Sequence, residues 1–179
     1  MCSSDLSDLP VVYAVAGAVF TVRGEHGARH IPADRFYESQ PALMLRPSEF
    51  LEKISIPAPP PRTGAAFEKF GETENTFALV SAAAVVTLDR AGRCASARLA
   101  LGGLRLLPRV SGKAAAVLAG LPPSPARMGV AAAEAVEEAG AVRDIRVSAE
   151  YKKRLAAVVG RRAIERAFAA ARGGKGKGR

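Results

Sequence analysis

FALVSAAAVVTLDRAGRCASARLALGG, residues 77–103, holds the two runs whose reading decides the fold. Phe77 to Asp89 is rich in Val and small apolar residues, Arg90-Ala91-Gly92 reads as a turn, and Cys94 to Leu101 returns as a second strand. The apolar residues of the first run are nearly continuous rather than alternating, which predicts a strand covered on both faces. Gly102-Gly103 ends the pair, and Ala65 to Gly71 supplies another strand just upstream.

Three helices follow. Ser111 opens the first and Gly120 closes it. Ser124, with Pro125 at the first helical position, opens the second, which Gly140 closes. Ser148 opens the third, whose apolar positions Tyr151, Leu155, Val158, Val159, Ala163, Ile164, Ala167 and Phe168 form one predicted stripe. Strands followed by helices argue for an α+β fold, an antiparallel sheet with helices packed against it.

The N-terminal part reads differently. VVYAVAG is a short apolar helix, AVFTV a strand, and Glu25-His26-Gly27 a turn into a second strand, Ala28 to Ile31. Ser48 can cap a one-turn helix over Glu49 to Lys53, ahead of the β-type run Ile54-Ser55-Ile56. Pro57 to Pro61 has four prolines in five residues and is expected to be an extended connector.

Composition sets the bounds. The 179 residues are 49% hydrophobic and 24% charged, with mean hydropathy +0.08, which suits a globular chain that builds a core without disulfide or metal staples. No apolar run reaches the ~20 residues of a membrane span. Cys2 and Cys94 lie far apart, neither with a partner at metal-ligand spacing, so a reducing, cytoplasmic location is expected. The charge is +9, with 26 basic and 17 acidic residues. Residues 151–179 hold ten basic residues and one acidic, leaving 16 of each sign in residues 1–150. The body is neutral and the excess lies in the last helix and a Gly/Lys tail, expected to be disordered from position 172. Without interleaved aromatics this basic end implies no nucleic-acid partner.

Catalytic chemistry is missing. The only histidines, His26 and His30, sit on the predicted hairpin, and no Cys or carboxylate completes a metal set with them. There is no G-x-S-x-G elbow, and Ser111-Gly112-Lys113 lacks both the first glycine and the Ser/Thr of a phosphate loop.

The order of several ordinary segments is more informative. Ser7-Asp8-Leu9-Pro10, then AVFTVRGEHGARHIPADRFY, SEFLEKISIPAPPP, FEKF, FALVSAAAVVTLDRAGR, ARLALGG, LLPR and DIRVSAEYKKRLAAVVGRRAIERA resemble the C-terminal portion of one family. That family is the FAD-binding medium subunit of the molybdenum hydroxylases, of the xanthine dehydrogenase and aerobic carbon monoxide dehydrogenase type. The resemblance implies a C-terminal remnant of a PCMH-type FAD-binding domain over residues 1–46, a flavoprotein C-terminal domain over 47–171, and the tail at 172–179. It implies FAD as cofactor, with Asp8, Leu51 and Lys69 near it, although the family's glycine-rich pyrophosphate loops are not in this sequence and the chain alone is expected not to retain FAD.

The residues taken by themselves allow other roles: Asp8 as a helix cap, Leu51 as core, Lys69 as a solvated strand lysine. The resemblance further implies a molybdopterin-binding large subunit and an iron-sulfur small subunit as partners, and transfer of electrons from iron-sulfur clusters through FAD to an acceptor, with no catalytic residue here. The alternative is a non-catalytic docking module that has lost flavin binding.

Overall fold

The computed structural model describes residues 8–37, 45–71, 77–105, 107–143 and 146–173. Two three-stranded antiparallel sheets organise them. Helix α1 (Asp8–Ala16) leads into β1 (Val19–Gly24) and β2 (Gly27–Pro32), followed by the single turn α2 (Ala33–Phe36) and β3 (Phe50–Ser55). The first sheet has the order β2-β1-β3. Its core is aromatic: Phe20 meets Phe36 edge-to-face at 4.8 Å, with Tyr13 and Tyr37 completing the cluster. Burial pushes the Tyr37 phenol up to about 12.

The helix expected over Glu49 to Lys53 is instead part of β3. The apolar pair Leu51 and Ile54 has a helical spacing of three, but β1 pairs Val22 with Leu51 and Phe20 with Ile54. A bulge between Thr21 and Val22 absorbs the extra residue, so both side chains reach the same core. Glu49 fixes the approach to this strand. Its carboxylate accepts from Arg29 Nε at 2.9 Å and Nη2 at 2.8 Å, and from the Arg46 backbone N–H at 2.8 Å. Pairing with β1 carries the first sheet through Ser55, beyond position 46.

The second sheet contains β4 (Thr63–Phe70), β5 (Val80–Leu88) and β6 (Cys94–Gly102), in that order. Alternate residues of β5 serve different neighbours, as a strand covered on both faces requires. Ala82, Ala84, Val86 and Leu88 belong to the main core, while Ala83 packs with Val11, Ala14 and Val15 of α1. The main core is closed by α3 (Gly112–Leu118), α4 (Pro125–Ala139) and α5 (Ala149–Gly173). Their caps match expectation: Ser111 Oγ accepts from Ala114 N at 3.0 Å, Ser124 Oγ from Arg127 N at 3.3 Å, and Ser148 Oγ from Tyr151 N at 3.2 Å. Glu138 ties α4 to the start of α3, accepting from Ser111 Oγ at 2.6 Å and from Lys113 N at 3.1 Å.

The buried face of α5 is rotated from the expected stripe. Tyr151 and Val158 are both 42% exposed, whereas Lys152, Ala156, Gly160 and Ala171 are buried beside Val159, Ala163, Ile164, Ala167 and Phe168. Small residues let the helix lie close to the sheet. A Cβ on Gly64 would stand 2.2 Å from the Ala167 carbonyl oxygen. Lys152 is tolerated inside because its Nζ donates to the Gly103 carbonyl at 2.8 Å. Arg172 and Gly173 are helical, and the remaining tail lies outside the described residues.

Two outcomes follow from this packing. Ile164→Ala is expected to cost about 2–5 kcal/mol in urea denaturation, and Val158→Ala well under about 1 kcal/mol; equal costs would restore the original stripe. For Glu49, the Arg29 fork and then the Arg46 N–H lower the carboxyl from 4.5 to about 2. Its stabilisation is present above the unfolded value and is lost as pH falls from about 4.5 towards 2. Glu49→Gln is therefore expected to melt below wild type at pH 6, and the gap should close near pH 2.

Candidate functional site

Asp8 opens α1, where a carboxylate in the first turn complements the helix dipole. Lys69 lies near the end of β4, opposite Ser81 of β5. Lys69 Nζ donates to Asp8 Oδ2 at 3.1 Å, across 61 residues of sequence. The contact exists because α1 lies over the β5 and β6 face of the second sheet, bringing its first residue to the end of β4 that carries Lys69.

The pair is only partly shielded, with the Lys69 side chain 24% exposed and that of Asp8 40%. Within Asp8 the two oxygens differ. Oδ2 holds the ammonium, while Oδ1 is shielded from water and has no hydrogen-bond partner among the described residues. A buried acceptor without a donor is costly. The lysine has three N–H donors, only one of which the Asp8 contact uses. The site therefore presents an idle acceptor beside a cation that can donate further.

Leu51 is not part of this contact. It is half-buried on β3, in the aromatic core of the first sheet. His30 Nδ1 lies 3.1 Å from Thr21 Oγ1 across the hairpin, and no group of three metal-ligating side chains occurs among the described residues. No described helix is long and apolar enough to cross a membrane.

A second linkage was not legible in the sequence as a site. Arg98 of β6 donates from Nη2 to the Ala14 carbonyl near the end of α1 at 2.8 Å, and Asp34 of α2 lies 3.9 Å from the same nitrogen. The local signal for it is an arginine interrupting an apolar strand.

Residues 65–167 match the CO dehydrogenase flavoprotein C-terminal domain, and residues 1–59 match the FAD binding domain in molybdopterin dehydrogenase. The chain belongs to the CO dehydrogenase flavoprotein family. It is 34% identical over 168 residues to the carbon monoxide dehydrogenase medium chain of Afipia carboxidovorans, covering 93% of this chain and 57% of that one. It is 35% identical over 98 residues to the 6-hydroxypseudooxynicotine dehydrogenase complex subunit alpha of Paenarthrobacter nicotinovorans, covering 54% of this chain and 33% of that subunit.

Among solved structures, CO dehydrogenase from Oligotropha carboxidovorans superposes with a TM-score of 0.86 at 32% identity, over 94% of this chain and 58% of that one. Quinoline 2-oxidoreductase from Pseudomonas putida 86 gives 0.85 at 27%, with the same coverage. The chain thus spans little more than half the length of the first of these relatives. The resemblance and the α+β architecture expected from the sequence are both borne out.

The exposure of the Asp8–Lys69 pair sets its energetic weight. Partly exposed ion pairs contribute little to folding, so Asp8→Asn and Lys69→Met are each expected to change stability by less than about 1 kcal/mol. Chemical denaturation checks this; a loss of about 3 kcal/mol would make the pair a structural clamp.

Proposed function

We propose that this chain is part of the FAD-binding medium subunit of a molybdenum hydroxylase, and that Asp8 and Lys69 receive the flavin ring. The observation that carries the reading is the Asp8 carboxylate, with one oxygen on Lys69 and the other idle. The pyrimidine side of an isoalloxazine offers an N–H between two carbonyl oxygens. The idle Oδ1 suits that N–H, and the ammonium suits a neighbouring carbonyl. The residues present therefore fit the group that the family implies.

When bound, FAD supplies the electron relay between one-electron and two-electron carriers. The chain's own residues hold and tune it. Lys69 places positive charge where electron density rises on reduction, and Asp8 orients that charge. Leu51 contributes through the packing of β3 rather than through the ion pair. In this reading the electrons come from an iron-sulfur small subunit, and substrate chemistry belongs to a molybdopterin-binding large subunit. That division suits a chain in which sequence reading finds no nucleophile with a base to activate it. A reducing cytoplasm suits the buried, free Cys94 thiol. We place the division between the flavin part and the C-terminal domain in the connector after β3, because β3 hydrogen-bonds to β1.

The test uses lumiflavin, which carries the ring without the pyrophosphate. Fluorescence quenching is expected to show weak saturable binding to the chain, reduced about tenfold in Asp8→Asn and in Lys69→Met, a loss of about 1.4 kcal/mol. Binding that ignores both substitutions would remove the ring from this site and favour the docking-module reading.

A further inference from the structure

A groove of about 440 Å3 opens between the end of α1, the connector after β3 and the outer face of the second sheet. Its floor includes the cross-strand row Ala65, Val85 and Arg98. One wall is the Ile56–Pro60 stretch. Ala65, the groove's β4 residue nearest Lys69, lies four residues along the strand, which at strand rise is about 13 Å from the Asp8–Lys69 pair. The groove is therefore a separate place on the molecule.

We propose that this groove binds a small, largely apolar carboxylate. Its volume falls in the range of small-molecule sites, and it lies between two structural units, where such sites are common. The walls are mostly apolar, and Pro57, Pro59 and Pro60 bring no N–H donors to them. Among the described residues, Arg98 is the only ionisable side chain lining the groove. Its Nη2 is committed to the Ala14 carbonyl, and Asp34 stands off at 3.9 Å. Arg98 Nε is shielded and has no acceptor among the described residues. A guanidinium with an unmet donor matches the planar, two-oxygen geometry of a carboxylate. A dianion is disfavoured, because Asp34 and the carbonyl end of α1 already place negative charge beside the arginine. The apolar body of the ligand covers Val85 and the proline wall.

The probe is 2-naphthoate, titrated into the whole chain and followed by its fluorescence, with neutral 2-naphthylmethanol as comparison. Saturable binding of naphthoate is expected. Ala65→Leu is expected to weaken both compounds at least about tenfold by filling the floor at an exposed position. Arg98→Met is expected to weaken naphthoate about tenfold and naphthylmethanol less than about twofold, and Asp8→Asn to change neither. Arg98→Met also loses a bond to α1, so its folding is checked by circular dichroism; should it unfold, Ala65→Leu decides the matter. No saturable binding, indifference to Ala65→Leu, an equal effect of Arg98→Met on both compounds, or loss of binding in Asp8→Asn would each overturn the proposal.

Discussion

Helix α5 lies so near β4 that a single methyl group on Gly64 would meet the backbone of Ala167 and Ala171, the nearest atom at 2.2 Å. That approach is available only to glycine on the strand and to small residues on the helix. It sets the height at which α5 crosses the sheet, and the rest of the domain adjusts to it. Gly160, further along the helix, is a milder case: an added Cβ would stand 3.3 Å from a Leu101 methyl carbon and 3.6 Å from the Ala132 Cβ. Close backbone packing of this kind maximises dispersion contacts and leaves no room for adjustment.

The same economy of size works on the other face. Ala83 and Ala100 form the floor on which α1 rests through Val11, Ala14 and Val15. Helix α1 therefore links the parts of the molecule. Its first residue reaches Lys69, and a carbonyl near its last residue is held by Arg98, which also approaches Asp34 of α2. Nine helical residues span about 13 Å, enough to connect one end of the second sheet to the groove at the other.

Among the described residues, few buried polar side-chain atoms are left without a hydrogen-bond partner. Asp8 Oδ1 and Arg98 Nε are two such atoms, and each marks the end of α1 at which it sits. Buried polar atoms without partners are uncommon, and they point to places completed by something else.

The sequence by itself determined the three strands of the second sheet, the turn between the last two, the caps and glycine stops of its helices, and the double coverage of β5, because these depend on local periodicity and short-range chemistry. The family was legible through the order of its segments. Two local readings are corrected by the packing. Leu51 and Ile54 carry a helical spacing that a bulge in strand pairing converts to one face, and the expected α5 stripe holds at Val159, Ala163, Ile164, Ala167 and Phe168 but not at the exposed Tyr151 and Val158. Only the tertiary structure decided that Asp8 meets Lys69 while Leu51 lies in the other core, and that Arg98 overlooks a groove. Contacts across 61 or 84 residues follow from how helices and sheets stack, and no local pattern in the chain encodes that stacking.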